Sequence, residues 1–279
     1  MANLTRILQA LYCEPWLIRP EMHQHLCSIA WAHATGAAHA ESGIVAEFGK
    51  TARGDVDDDV RMYGNVAVLE IGGVIGRKFS SFLNSSGVTS VDVLARHVAE
   101  AKVNPAVSAL VLDVDSPGGT VTGTPEAANV IADFSRDKPV VAYASGLMAS
   151  AAYWLSAPAD AIFAAESADV GCIGVYTAML DVTRAYENAG VKVELFKQGK
   201  YKAMGMPGVP LTDDQREYIQ QEVDQINDWF RSTITGNRDV PDTAMEGQTF
   251  LGRRAVEVGL VDRIGTLGDA IDYAAEQAR

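Results

Sequence analysis

The residue with the clearest potential for chemistry is Ser150, in the segment SGLMASAAYWLS at 145–156. This segment follows the apolar run KPVVAYA, and apolar residues recur in it at helical spacing, so the serine is predicted in the first turn of a buried helix. Backbone N–H groups there face any negative charge that develops during a reaction. A lone serine is far more often a capping or packing residue, so the choice depends on finding a partner base.

The positions of the histidines restrict that search. A triad in the chain order Ser, His, Asp is excluded, because every histidine precedes Ser150: His23, His25, His33, His39 and His97. A lysine or a carboxylate remains. Lys197, Lys200 and Lys202 lie close together, with no acidic residue between Leu195 and Thr212. A lysine needs its pKa lowered by about 3 units to act as a base at pH 7, which costs about 4 kcal/mol of burial and charge repulsion. A solvated basic loop is the simpler explanation of this composition.

A second candidate is the segment DSPGG at 115–119, directly after the apolar run VSALVLDV. Ligands of open α/β sheets bind at the carboxyl ends of strands, and a Gly-Gly pair lets backbone N–H groups approach a ligand closely. The segment lacks the spacing of either common phosphate loop, so an oxyanion site remains the better functional interpretation. A tight turn is the structural alternative.

The elements that would position these residues follow an alternating pattern. Three Val/Leu-rich runs at 65–71, 107–114 and 138–144 are typical of strands buried on both faces. Helical signals lie between them, with Ser90 and Thr124 as predicted N-caps. The pattern predicts an α/β fold with a mostly parallel sheet. Further on, Thr212 to Gln215 forms a capping-box sequence, and 250–265 is predicted as a helix ending at Gly259 followed by a short strand.

The first 60 residues differ from the rest, so we predict an N-terminal helical arm and linker at 1–60 and one domain at 61–279. Apolar spacing indicates two short helices joined at Pro15–Pro20. The linker ends in the acidic run Asp55–Asp59, whose spacing fits no EF-hand.

Composition excludes several classes of protein. The 279 residues carry a net charge of −13 and are 48% hydrophobic, which permits a sizeable core but disfavours nucleic acid or anionic lipid as the main partner. The cysteines are too few for a disulfide framework. No apolar stretch reaches the roughly 18 residues of a membrane helix, and the start is a poor signal peptide. We expect a cytoplasmic protein that is not secreted and has no membrane anchor.

Five blocks carry a resemblance to a known family: DSPGG (115–119), SGLMASAAYWLS (145–156), DVGCIGV (169–175), GKYKAMGMP (199–207) and GLVDRIG (259–265). From about residue 64 to 275 the chain resembles the S49 serine peptidases of the signal-peptide-peptidase A type. The resemblance implies a ClpP/crotonase-like fold, in which repeated β-β-α units form a superhelix. The segment EPWLIRPE at 14–21 also looks like the start of phage and prophage members, whose suggested role is prohead maturation.

The resemblance also implies the roles of individual residues. Ser150 would be the nucleophile and Lys202 the general base, with Lys200 and Lys197 as supporting cations at most. The backbone N–H groups of Gly119 and Ala151 would form the oxyanion hole. No cofactor or metal is implied. In the family a serine commonly hydrogen-bonds the catalytic lysine, and Cys172 takes that place here, where a thiol would hold the lysine more loosely.

Partners and alternatives follow from the same resemblance. Relatives form rings or domes that can bring one subunit's serine to a neighbour's lysine, so we expect a homo-oligomer that acts on polypeptides, scaffold or capsid proteins among them. The alternatives are a signal-peptide-peptidase-like degradation of peptides in a bacterial host, an acyl-CoA enzyme on the crotonase fold, and a non-catalytic assembly factor. Self-processing within the small-residue stretch 34–40 is a further expectation.

Overall fold

A computed structural model describes residues 11, 15–35, 60–77 and 88–279 of the chain. Ten strands lie in these residues: β1 Trp16–Ile18, β2 Val60–Tyr63, β3 Val66–Gly76, β4 Val88–Ser90, β5 Ala109–Thr120, β6 Val140–Ala149, β7 Ala161–Ala164, β8 Asp169–Gly171, β9 Thr249–Leu251 and β10 Arg263–Ile264. The helices that matter here are α1 Pro20–Thr35, α2 Val91–Val103, α3 Thr124–Ser135, α4 Ala151–Ser156, α5 Thr183–Asn188, α6 Asp213–Thr235, α7 Gly252–Glu257 and α8 Leu267–Gln277.

The strands form one mixed sheet with a parallel centre. Its path runs β10-β7-β6-β5-β3-β2, and β3, β5, β6 and β7 pair in parallel. The three predicted strands correspond to β3, β5 and β6, which confirms the expected α/β class. Strand β5 extends beyond its predicted end and includes DSPGG, so this segment continues the strand and is not a tight turn, although Gly118 has a φ of 101°.

Helices cover both faces of this sheet. Apolar residues of α2, α3 and α4 share one buried cluster with one face of β3, β5 and β6. Ala270 and Ala274 of α8 share a second cluster with residues of the opposite face, such as Val68 and Val111. The central strands are therefore buried on both sides, which explains their continuous apolar sequence.

The N-terminal segment departs from its prediction at one point. Residues 16–18 form strand β1, which pairs antiparallel with the end of β5. The second predicted helix is confirmed as α1. All of the first predicted helix but Leu11 lies outside the described residues, as does the acidic run Asp55–Asp59. The boundary at residue 60 stays a prediction, although β1 belongs to the sheet of the following domain.

Two predicted helix starts have different outcomes. The capping box of α6 is present, with the Gln215 N–H donating to Thr212 Oγ1 and the Thr212 N–H donating to Gln215 Oε1. The prediction of Thr124 as an N-cap is wrong, because the cap of α3 is Gly123 in the left-handed region. Thr124 is already helical, and its hydroxyl donates to the Thr120 carbonyl at 2.8 Å.

Candidate active site

Ser150 lies at the turn between β6 and α4, at the N-cap of that helix. Its φ of 56° is unusual for a residue other than glycine. Two backbone hydrogen bonds hold this conformation: the Ser150 N–H donates to the Gly171 carbonyl at 2.7 Å, and the Ser150 carbonyl accepts from the Trp154 N–H at 2.9 Å. Its hydroxyl is buried and has no hydrogen-bond partner among the described residues. Burying an unpaired hydroxyl costs stability, which points to a functional role for this serine.

Helix α4 follows this turn and packs in the core, with all six of its residues buried. Trp154 stacks on Phe230 of α6 at 4.6 Å between ring centroids, and the Tyr153 hydroxyl donates to the Leu260 carbonyl at 2.9 Å. Ala151 is the first residue of the helix, so its N–H has no acceptor within the helix. The α4 contacts therefore fix the positions of both the serine and this N–H group.

The glycine pair of β5 lies against the same turn. A methyl group on Gly118 would lie 3.0 Å from both Ser150 Cβ and the Ala149 carbonyl oxygen, and 2.1 Å from the Leu17 carbonyl oxygen. A methyl group on Gly119 would lie 1.8 Å from the Ile75 carbonyl oxygen. Only glycine fits at these positions. The two segments that the sequence singled out separately thus meet in the fold.

Strand β1 covers the far side of the glycine pair, and sequence analysis missed it. Leu17 is the register partner of Gly119, and Ile18 is that of Gly118. Beyond β1, Arg19 forms an ion pair with Asp169 at 2.9 Å. The only signal for the strand was an apolar tripeptide bounded by Pro15 and Pro20, which is too short for a periodic pattern.

The predicted base lies in a different environment. Lys202 belongs to a segment that we call the lysine arm, residues 174–214, in which no residue is buried. Because Ser150 Oγ has no partner, the Lys202 amine is not within hydrogen-bond distance of it inside one chain. Lys200 pairs instead with Asp214 at 2.6 Å, and this hydrogen bond raises the pKa of Lys200, which disfavours it as a base. Asp214 lies just beyond the acid-free interval noted in the sequence.

Helix α6 explains the separation of lysine and serine. Near its start, Gln215 donates to the Lys200 carbonyl at 3.3 Å. Near its end, Phe230 stacks on Trp154. At a rise of 1.5 Å per residue, these two contacts are about 22 Å apart along the helix axis. The arm and the serine turn therefore contact opposite ends of one helix.

Cys172 directly follows the glycine whose carbonyl holds Ser150. Its N–H donates to the Gln248 carbonyl at 2.8 Å, and its φ is 54°. Burial raises the pKa of the Cys172 thiol to about 11, although the Arg19 cation opposes this. The thiol is therefore uncharged near neutral pH, which argues against a second nucleophile. Whether it supports the lysine stays a prediction.

Within the described ranges no group of three or more His, Cys, Asp or Glu side chains is arranged to hold a metal ion. Among the helices in those ranges, none has the length and apolar character to span a bilayer.

The fold and the site together define the class of protein. It is an α/β protein whose mostly parallel sheet holds a strained serine, a candidate nucleophile, between a strand and a buried helix. The chain belongs to peptidase family S49, whose sequence model matches residues 132–279.

Three relatives illustrate the range of this similarity. The chain is 29% identical to capsid assembly protease C of Escherichia phage lambda, over 97% of this chain and 65% of that protein. It is 28% identical to the chloroplastic serine protease SPPA of Arabidopsis thaliana, over 76% and 32%, and 29% identical to protease 4 of Salmonella typhi, over 77% and 35%. In each case the chain spans less than two thirds of the relative's length.

Similar solved structures include an enoyl-CoA hydratase from Polaromonas sp. JS666. The TM-score is 0.39 and the sequence identity 17%, over 78% of this chain and 74% of that one.

Proposed function

We propose that the protein is a serine endopeptidase in which Ser150 is the nucleophile and Lys202 of a neighbouring subunit is the general base. The observation that carries this proposal is the Ser150 hydroxyl, which is buried, without a partner among the described residues, and held at a strained backbone angle. Strain and unpaired polar groups of this kind cluster at active sites. Membership in peptidase family S49 supports the reaction class.

The reaction needs four groups. The uncharged Lys202 amine takes the proton from Ser150 Oγ, which attacks the carbonyl carbon of a peptide bond. The N–H groups of Gly119 and Ala151 stabilise the oxyanion. The lysine then gives its proton to the departing amine, and water hydrolyses the acyl-enzyme with the same lysine as base. Cys172 would contact the lysine from the side, as a weak partner.

A base from a second subunit fits the exposure of the lysine arm. The arm presents apolar side chains to solvent, with exposed fractions of 68% for Leu180 and 91% for Phe196. Contact with a second copy of the chain would cover them. The same contact would remove the Lys202 amine from water and so favour its uncharged form. We therefore propose a homo-oligomer in which each site is completed by the neighbouring arm.

For the substrate we propose proteins of a phage head, scaffold or capsid proteins among them. The support is the alignment with capsid assembly protease C of phage lambda, which spans 97% of the chain and so extends well into the first 60 residues. The alignment with protease 4 spans 77%.

Two variants test the reaction. Ser150→Ala is expected to abolish both peptide cleavage and labelling by a serine-directed phosphonate. Ser156→Ala is the matched control, since Ser156 is a buried serine of the same helix whose hydroxyl already donates to the Ala152 carbonyl. Cleavage that persists in purified Ser150→Ala would contradict the proposal, as would an assembled wild-type protein that the phosphonate does not label.

The substrate requires a separate experiment. The chain is co-expressed with the products of its genomic neighbours, with Ser150→Ala alongside, and intact masses are compared. New termini in a head protein that appear only with the wild-type chain would support the proposed substrate. Cleavage confined to unrelated polypeptides such as casein would favour general peptide degradation instead.

A further inference from the structure

We infer that strand β1 is an internal occupant of the peptide-binding groove, and that a substrate polypeptide binds by displacing it. The inference rests on the proposed function and adds three points to it. These are where the substrate backbone lies, which side chain faces the serine, and why the groove of a single chain is already occupied. It starts from β1, which is an extended peptide hydrogen-bonded on both sides. On one side it pairs antiparallel with β5. On the other, the Trp16 N–H donates to the Tyr176 carbonyl at 2.8 Å and the Tyr176 N–H donates to the Trp16 carbonyl at 3.2 Å.

The register of the β1–β5 ladder places Leu17 opposite Gly119, at the proposed oxyanion site. The Arg19 N–H donates to the Pro117 carbonyl at 3.1 Å, so these opposite residues form a hydrogen-bonded pair. Such pairs alternate along an antiparallel ladder, which makes Leu17 and Gly119 the next one. The Gly119 N–H therefore donates to the Leu17 carbonyl. This is the N–H group assigned to the oxyanion of a substrate.

The Leu17 carbonyl is also close to the nucleophile. A methyl group on Gly118 would lie 2.1 Å from the Leu17 carbonyl oxygen and 3.0 Å from Ser150 Cβ, so both flank the same point. Leu17 thus takes the place of the residue whose carbonyl the serine would attack. While β1 stays there, no substrate backbone can take its place as acceptor of the Gly119 N–H.

The side chains of β1 indicate what a replacement must carry. Leu17 is fully buried and belongs to the main apolar core, which also includes Met148 and Ala151 on either side of the serine turn. Its neighbours Trp16 and Ile18 belong to a different cluster, with Val74 and Tyr176. Since alternate side chains of a strand point to opposite faces, only the Leu17 position faces the nucleophile. The groove is therefore fitted to an extended polypeptide with a leucine-sized apolar residue at that position.

Side-chain contacts as well as backbone hydrogen bonds hold β1 in place. Arg19 pairs with Asp169, and the ring of Trp16 lies 5.1 Å from that of His23 in α1. A competing strand would form the same backbone hydrogen bonds, so displacement exchanges one set of pairs for another. Weakening the Arg19 contact favours the competitor.

The test measures binding and not catalysis. In full-length Ser150→Ala, a synthetic peptide with the sequence of residues 14–21 is added, and hydrogen exchange is followed at the Leu17 amide. Displacement is expected to speed exchange there at least about tenfold at saturating peptide, since the amide loses its acceptor, while the amides of β3 stay protected. The control peptide has aspartate in place of the leucine and is expected not to bind.

A second pair of variants separates displacement from general loosening. In the same background, Arg19→Ala is expected to tighten peptide binding about threefold, since it removes a partly exposed ion pair that retains β1. Lys102→Ala breaks an ion pair with Asp133 on another part of the surface and is expected to leave the dissociation constant unchanged.

The inference is overturned if the peptide fails to bind even in the Arg19→Ala background, or binds without faster exchange at Leu17. Neither result depends on cleavage. If the peptide displaces β1 but the wild-type chain cleaves nothing, the proposed peptidase function fails while the occupant of the groove stands.

Discussion

The surroundings of Ser150 and the lysine arm differ in how far one chain completes them. Around Ser150, the strands β5, β6 and β8 and the whole of α4 are hydrogen-bonded and closely packed, and the serine itself is 1% exposed. From residue 174 to 214 no residue is buried, and Phe196 is 91% exposed. A single subunit therefore builds a nucleophile site in full but leaves the proposed base in solvent. If the proposed base comes from a neighbouring subunit, the complete site forms at the interface between subunits and not within one domain.

Subunit mixing gives the largest expected effect. Ser150→Ala and Lys202→Ala are each expected to lower cleavage at least about a thousandfold. If the base comes from a neighbour, mixed oligomers regain about a quarter of wild-type activity, because random assembly joins intact serines to intact lysines at that frequency. Cleavage of a fluorogenic peptide after dissociation and reassembly measures this. Mixed oligomers that stay inactive would place both residues of the dyad in one chain.

Phe196→Asp is expected to weaken self-association. Covering a phenylalanine contributes about 2 kcal/mol, so its replacement raises the dissociation constant of the oligomer about thirtyfold. Sedimentation velocity measures the change, and the melting temperature of the dissociated chain should not move. Val103→Asp, at an apolar residue that is 81% exposed on α2, is the control. Equal effects of both variants would show that the arm is not part of the interface.

The pH dependence of thiol alkylation tests whether the surroundings of Ser150 are closed to solvent. Because burial raises the pKa of Cys172 to about 11, its thiolate fraction grows about tenfold per pH unit between pH 8 and 10. Iodoacetamide is expected to modify the half-buried Cys27 before Cys172, which reacts only as the pH rises. Peptide mass spectrometry distinguishes the two sites. Rapid modification of Cys172 at pH 8 would mean that the serine turn is open to solvent.

The smallest effect concerns stability. Ser150→Ala removes a hydroxyl that has no partner among the described residues, so the free energy of unfolding is expected to stay the same or rise. Ser156→Ala removes a hydroxyl that donates to the Ala152 carbonyl at 2.8 Å, and a loss of about 1 kcal/mol is expected. Urea unfolding of dissociated subunits compares them. A clear loss in Ser150→Ala would indicate a structural role for its hydroxyl.

The sequence was informative where local signals and packing agree. Strands β3, β5 and β6 are apolar on both faces because both faces are covered, so composition alone predicted them. The capping box at Thr212 depends on residues three apart and was equally visible. The N-cap of α3 was predicted one residue too late, at Thr124. Both threonine and glycine suit a helix start, and Gly123 has the left-handed backbone conformation at this one.

The parts that escaped prediction depend on contacts distant in sequence. Strand β1 has only three residues and exists because β5 and Tyr176 offer hydrogen bonds on either side. The Gly171 carbonyl that holds Ser150 could not be seen from either segment alone. The catalytic roles of Ser150, Lys202, Gly119, Ala151 and Cys172 remain predictions.

In the proposed oligomer, helix α6 would set the distance between the lysine arm and the core of its own subunit. Its far end is clamped to Trp154, and its near end carries the arm, so the arm's reach is set by the number of helical turns between them. Inserting seven residues keeps the same face inward while extending the reach by about 10 Å. If the proposed ring forms, its diameter is linked to the length of this helix, and a ring of different size would need a helix of different length to bring lysine and serine together.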